Sequence, residues 1–172
     1  RAVKGVVYKN TVSLPNGVSA SDTQAYTVTF TVDVEMAAGF GGFNVLKKAG
    51  GDAADKIPAG TTFEIGVNYV LPNAAGTYPG WEAPGTLNAD NKTGFTTMEV
   101  ELGDAITYPG TFPAGTVVTL TEDTATASPS ADGYTWGDPV FTVGETETST
   151  FTIEDQKATS VTVTNTAALT PA

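Results

Sequence analysis

Short segments in which apolar and polar residues alternate recur along the chain, and they constrain the fold more than any other feature. The two clearest segments span residues 26–34 and 63–69. An alternation with a period of two places the apolar side chains on one face of a β-strand. Clusters of Gly, Pro, Asn and Asp separate the segments, and such clusters form tight turns. The sequence therefore predicts an all-β protein.

Nine segments are predicted as strands, and their spacing is typical of an immunoglobulin-like β-sandwich. They are residues 6–14, 25–36, 41–48, 61–71, 96–102, 116–123, 134–143, 149–155 and 159–166. The small residues of AAGFGG, at 37–42, indicate a boundary. We predict a sandwich over residues 41–168 and a linker over residues 169–172. Residues 1–40 form either the tail of a preceding β domain or an additional N-terminal strand pair.

Composition excludes several classes of function. The chain has 172 residues with no cysteine and no histidine, so a disulfide framework, a Cys/His zinc site and a Ser-His-Asp triad are excluded. A net charge of −11 argues against nucleic acid and anionic membranes as partners. No apolar run is long enough to span a bilayer. We expect no metal and no cofactor, and we expect the chain to be a piece of a longer protein.

Three predicted strands each continue an apolar face into one polar residue. These residues are Lys47 at the end of FNVLK, Glu122 at the end of VTLTE and Asn165 at the end of VTVTN. Other polar residues of the strands fall on the opposite faces, namely Glu64, Asn68, Glu99, Glu101 and Glu154. The simpler interpretation is that each of the three ends its strand and reaches solvent. That interpretation requires three separate strands to end by chance with a polar residue on the apolar face.

The alternative interpretation is chemical. A desolvated lysine amine has a lowered pKa and is a nucleophile, and an asparagine amide is an electrophile when its carbonyl is polarised. A buried carboxylic acid can polarise that carbonyl and shuttle the proton. The product would be an isopeptide bond between Lys47 and Asn165, with Glu122 as catalyst and ammonia released.

The same residues carry a family resemblance. FNVLKKAGGDAADKIPAGTTFEI resembles the opening of a Cna B-type (collagen-adhesin B-repeat-like) domain, TLTEDTATASPSADGYTW resembles its strand-borne Glu followed by Pro and GY, and VTVTNT resembles its last strand with the bonding Asn. The match covers roughly residues 42–168 and is similar to the enlarged versions in surface proteins of actinobacteria. The resemblance implies that Lys47 and Asn165 are the bonded pair and that Glu122 is the catalyst.

The function that this resemblance implies is structural. It implies a stalk or backbone module of a cell-wall-anchored Gram-positive adhesin or pilin, located at the cell surface. The cross-link forms once, so the protein is not an enzyme with turnover. Its partners would be neighbouring domains of the same surface protein, and a host extracellular protein or glycan is a further candidate.

Two alternatives remain open at this stage. Trp81 and Trp136 would form a carbohydrate-binding platform if they were exposed and coplanar. Residues 70–112, which have no counterpart in the resembling family, would supply the binding surface of a protein-binding adhesin tip.

Overall fold

The fold is that of a computed structural model, which describes residues 6–13 and 29–171. The described residues are almost entirely β-strands and turns, so the prediction of an all-β fold is confirmed. The beginning of the predicted strand 25–36 lies outside the described residues. None of the described helices is long and apolar enough to cross a membrane.

The described residues form fourteen strands. In chain order they are β1 (Val6–Ser13), β2 (Thr29–Met36), β3 (Phe40–Gly50), β4 (Thr62–Val70), β5 (Thr86–Leu87), β6 (Thr93–Glu101), β7 (Ala105–Thr107), β8 (Phe112–Pro113), β9 (Val117–Glu122), β10 (Tyr134–Trp136), β11 (Val140–Val143), β12 (Thr146–Glu147), β13 (Thr150–Thr152) and β14 (Ala158–Leu169). Three short 3-10 helices lie between them, at Ala54–Lys56, Ala75–Thr77 and Thr124–Thr126.

The strands form three sheets. β1 and β2 pair with each other as an antiparallel two-stranded sheet. The larger sheet has the order β12-β11-β14-β3-β7, with β10 paired to β14 and β8 paired to β3. The smaller sheet has the order β13-β9-β4-β6-β5. The two larger sheets enclose one core, which confirms the predicted sandwich.

The first and last strands of the sandwich lie side by side. β3 pairs with β14 in parallel, whereas all other strand pairs among the described residues are antiparallel. In this register Lys47 is level with Val163, and Ala49 is level with Asn165. The two strands are far apart in sequence, so this pairing positions residues that no local pattern brings together.

The sequence missed four strands and merged two others. The missed strands are β5, β7, β8 and β12, each of two or three residues. The predicted strand 134–143 is two strands, β10 and β11, separated at Gly137–Pro139. Proline lacks the N–H that a strand needs for pairing, and this explains the interruption. β14 continues to Leu169, one residue into the predicted linker.

The core is formed by the inward faces of the two larger sheets. Phe43, Phe63, Tyr69, Phe112 and Leu120 are among its buried side chains. A second, smaller cluster lies around Tyr134 and Ala167, where β10 covers the end of β14. Residues 70–112 contribute β5, β6, β7 and the first residue of β8, so this region is part of the sandwich itself.

Candidate functional site

The larger sheet supplies two of the three polar residues that the alternation selects. Val45 and Lys47 on β3 face inward, as do Val163 and Asn165 on β14, and all four are 0% exposed. Because β3 and β14 are adjacent and parallel, Lys47 and Asn165 lie on the same inner face, two residues apart in register. The alternation determines that Lys47 and Asn165 point into the sandwich. The pairing of β3 with β14 determines that these two side chains are neighbours.

The opposite sheet supplies the third residue. Glu122 is the last residue of β9 and is level with Ile65 of β4. It continues the inward face of Val118 and Leu120, and its side chain is 0% exposed. The carboxyl group therefore crosses the interior of the sandwich toward Lys47 and Asn165.

The three side chains are in direct contact. Lys47 Nζ lies 2.7 Å from Glu122 Oε1. Asn165 Nδ2 donates a hydrogen bond of 2.6 Å to Glu122 Oε2. This contact is a close, fully buried ion pair, in which the Glu122 carboxylate faces the Lys47 amine directly. One carboxyl group thus bridges the amine and the amide.

Burial dominates the protonation of Lys47. Removal of water lowers the pKa of the Lys47 amine, and the neighbouring Glu122 carboxylate opposes this effect only in part. The ring of Phe63 lies 4.3 Å from Nζ on another side. Burial therefore shifts the amine toward its neutral, nucleophilic form, although the Phe63 ring and the Glu122 carboxylate both favour the ammonium ion.

The amide of Asn165 presents its nitrogen to Glu122. We expected the acid to polarise the carbonyl, but the contact observed is with Nδ2. Oδ1 is buried and has no hydrogen-bond partner among the described residues. A buried carbonyl oxygen without a partner is rare in a native protein and calls for an explanation.

The structure brings together all three residues that the sequence selected. The simpler interpretation, in which each side chain reaches solvent, does not hold because all three side chains are fully buried. Sequence reasoning missed the role of Phe63 beside the amine. Phe63 lies in the FEI segment of the resemblance, and its inward alternation was the only available signal.

The aromatic residues do not form the platform that carbohydrate binding requires. Trp81 is 8% exposed, and its Nε1 donates a 2.8 Å hydrogen bond to the Thr111 carbonyl. Trp136 is half-buried and packs edge-on against Phe63 at 5.4 Å between ring centroids. The two indoles therefore serve separate parts of the core.

The polar segment NADNKTG, at residues 88–94, forms a turn that is closed by Asp90. Asp90 Oδ1 accepts hydrogen bonds from the backbone N–H groups of Lys92 and Thr93, and Oδ2 accepts one from the Thr93 hydroxyl. These bonds lower the pKa of Asp90 and close the turn before β6. Among residues 6–13 and 29–171, no cluster of three or more His, Cys, Asp or Glu side chains is arranged to hold a metal ion.

Several solved structures resemble the chain at low identity. The pilus-presented adhesin Spy0125 (Cpa) has a TM-score of 0.40 and 17% identity over 73% of this chain and 27% of its own. The major pilin T3.2 from Streptococcus pyogenes serotype GAS13637 has a TM-score of 0.41 and 15% identity over 96% and 63%. Another major pilin from Streptococcus pyogenes has a TM-score of 0.34 and 15% identity over 96% and 65%. At this level of likeness, none of them indicates a function for this chain.

The matched region spans about a quarter of the adhesin and less than two thirds of each of these two pilins. No curated protein sequence matches the chain. One family model matches residues 43–168, which begin within β3 and end within β14. That range includes the three buried polar residues and covers most of the chain. The chain therefore belongs to the family described as Domain of unknown function (DUF5979).

Proposed function

We propose that this protein is a structural module whose sandwich is closed by an autocatalytic isopeptide bond between Lys47 and Asn165, with Glu122 as proton carrier. One observation supports the proposal above all others. An amine, an amide and a carboxyl group, all on buried side chains, meet in one contact. Burial of such groups is unfavourable for folding, so a chemical role accounts for them better than a stabilising one.

The first step in this mechanism is a proton transfer. Nζ passes a proton to Glu122 Oε1 at 2.7 Å, which leaves a neutral amine and a neutral carboxylic acid. The lowered pKa of Lys47 favours this direction because the interior destabilises the ammonium ion. No charge then remains in the contact, and the amine has a free electron pair.

The second step forms and breaks the bonds to carbon. The Nζ electron pair attacks Cγ of Asn165, and the π electrons of the carbonyl move to Oδ1. Glu122 lies 2.6 Å from Nδ2 and delivers its proton to that nitrogen, while Nζ gives up a proton to the carboxylate. The carbonyl re-forms and ammonia leaves. The net reaction converts one amine and one amide into a secondary amide and ammonia.

This chemistry occurs once in each molecule. Both reacting groups belong to the chain and are consumed, so the protein has no turnover and needs no cofactor. The bond would connect the first and last strands of the sandwich directly, across the β3–β14 pair. In a chain without cysteine, such a bond would take the place of a disulfide as the covalent cross-link.

The resemblance to Cna B-type domains extends the proposal to a biological setting. We propose a stalk or backbone module of a Gram-positive adhesin or pilin, displayed at the cell surface and anchored to the wall through parts of the protein outside this sequence. Its partners would be neighbouring domains of the same protein. A cross-link between the first and last strands of the sandwich would suit such a load-bearing module.

An intact-mass measurement tests the proposal. The folded protein should weigh less than its sequence by one ammonia, about 17 Da. A proteolytic digest should yield one branched peptide that joins the segments of Lys47 and Asn165. A folded protein with the full sequence mass would overturn the proposed function.

The two adjacent lysines provide a matched control. Lys47→Arg keeps the positive charge but lacks a nucleophilic amine, so we expect the full sequence mass for this variant. Lys48 is exposed on the opposite face of the same strand, and Lys48→Arg should still lose one ammonia. Loss of ammonia in Lys47→Arg would assign the nucleophile to another residue.

A further inference from the structure

A second buried group near the cross-link site lacks a partner. The indole Nε1 of Trp136 is inaccessible to solvent, and it has no hydrogen-bond acceptor among the described residues. The amide Oδ1 of Asn165 likewise has no hydrogen-bond donor in the part of the chain that the structure describes. A donor and an acceptor are therefore both unsatisfied within the same interior.

The strand register places Trp136 opposite a residue two positions from Asn165 on the same face of β14. Trp136 on β10 is level with Ala167 on β14. Ala167 and Asn165 are consecutive inward-facing residues of β14, and both are 0% exposed. The Trp136 ring also contacts Phe63, whose ring lies 4.3 Å from Lys47 Nζ. Trp136 thus lies beside the site in two respects. It pairs with β14 two residues from Asn165, and its ring packs against Phe63, which contacts Lys47.

The proposed reaction requires a donor at this place. When Nζ attacks Cγ, negative charge develops on Oδ1, and a buried oxyanion needs a hydrogen-bond donor. Glu122 does not fill this role in the observed arrangement because its contact is with Nδ2. A donor that is unpaired before the reaction and paired during it stabilises the transition state selectively.

We infer that the Trp136 indole N–H is the donor that stabilises the oxyanion on Asn165 Oδ1, and that it keeps this hydrogen bond with the carbonyl of the finished cross-link. The inference rests on the proposed function. It adds a catalytic residue to the site and gives both unsatisfied atoms a single explanation.

Tyr134 is the natural competitor for this role. Its hydroxyl is also buried and without a hydrogen-bond partner among the described residues. However, Tyr134 is level with the exposed Leu169, which is two residues farther along β14 from Asn165 than Ala167, the partner of Trp136. Tyr134→Phe is therefore a matched control, since it removes an unpaired buried donor from the same strand without touching the indole.

The test measures the rate of cross-linking in the full chain. The protein is produced and purified in denaturant, where the site cannot assemble, and is diluted to start folding. Samples are quenched over time, and intact mass gives the linked fraction. We expect Trp136→Phe to link more slowly than wild type by on the order of a hundredfold, and Tyr134→Phe to link at the wild-type rate.

The outcomes separate the two proposals. If wild type never loses ammonia, the proposed function is wrong. If wild type links and Trp136→Phe folds and links equally fast, the cross-link stands and the role of Trp136 is wrong. Slow linking in Tyr134→Phe with fast linking in Trp136→Phe would move the role to Tyr134 and would also overturn the inference.

A spectroscopic measurement keeps the inference testable if Trp136→Phe does not fold. The two indole N–H resonances are compared between linked wild type and unlinked Asn165→Ala. We expect the Trp136 resonance to shift downfield and to exchange more slowly in the linked protein, while Trp81, already bonded to the Thr111 carbonyl, stays unchanged. An unchanged Trp136 resonance would contradict the inference.

Discussion

Burial and the neighbouring charge have opposite effects on the pKa of Lys47. The interior disfavours the ammonium ion, whereas Glu122 at 2.7 Å and the Phe63 ring at 4.3 Å favour it. Burial is the largest influence on the pKa of Lys47, and the net effect is to lower it. The lowered pKa makes the Lys47 ammonium a readier proton donor to Glu122 than an exposed lysine would be.

The role proposed for Glu122 can be isolated by a substitution that preserves its shape. Glu122→Gln should fold but retain the full sequence mass, because an amide cannot accept the proton of Nζ and return it to Nδ2. The measurement is intact mass after prolonged folding. Glu99→Gln is the control, since Glu99 is exposed on the outer face of β6 and should not affect linking. Complete linking in Glu122→Gln would show that another acid carries the proton.

The lowered pKa of Lys47 predicts a pH dependence in the unlinked protein. In folded Asn165→Ala, Lys47 stays buried with a lowered pKa, whereas in the unfolded chain it has its ordinary value of 10.5. The unfolded state then binds more protons at pH values below 10.5, so the free energy of unfolding should rise as the pH increases toward 10.5. Linked wild type has no amine at this position and should lack this rise.

The measurement is denaturant unfolding of both proteins across this range. At higher pH, buried tyrosines lower the free energy of unfolding as the pH rises. Burial raises the pKa of Tyr69 to about 12 and also raises that of Tyr108. Both proteins share these tyrosines, so the difference between them isolates Lys47. Equal slopes in the two proteins would show that the Lys47 pKa is not lowered.

At the scale of elements, the close approach of β3 and β14 depends on the turn that follows β3. Gly51 has a φ of +92°, which favours glycine, and a Cβ there would collide with the backbone of Ala167. Gly50 lies next to it, has ordinary backbone geometry, and leaves open space for a Cβ. The two glycines therefore serve different purposes although they are adjacent.

We expect Gly51→Ala to lower the free energy of unfolding by about 1–3 kcal/mol. Backbone strain at the positive φ and the collision of Cβ with Ala167 both contribute to this loss. Gly50→Ala should leave it nearly unchanged. Denaturant unfolding of the two variants in the same buffer checks this directly. Equal stabilities would mean that the turn relaxes without disturbing β14. This prediction concerns the fold alone and is independent of the cross-link.

At the scale of the whole molecule, the β3–β14 pair determines how force passes through the sandwich. The chain enters at the start of β3 and leaves at the end of β14. Because the strands are parallel, pulling on the two ends shears them lengthwise past each other. A bond between Lys47 and Asn165 would carry this load covalently, and the chain between them would not be stretched.

Single-molecule pulling measures this effect. In unlinked Asn165→Ala, residues 48–164 should extend on unfolding, which at about 3.5 Å per residue releases roughly 400 Å. The linked protein should lack this extension at any force below rupture of a covalent bond. The full extension in a protein whose mass shows the link would contradict the mechanical role that we propose.

The sequence by itself determined which side chains point inward. Alternation is local, so the inward positions of Lys47, Glu122 and Asn165 followed from their own strands without knowledge of any other. The same periodicity predicted the longer strands and the all-β class. It could not detect β5, β7, β8 and β12, because strands of two or three residues are too short to show a period.

Only the tertiary structure decided which inward residues meet. Local periodicity does not specify the pairing partner of a strand, so the sequence alone did not establish that β3 and β14 are adjacent and parallel, or that Glu122 lies opposite them. The contact of the acid with Nδ2, the ring of Phe63 beside the amine and the unpaired indole of Trp136 likewise depend on packing between distant segments. The alternation supplied the reacting groups, and long-range pairing assembled them into one site.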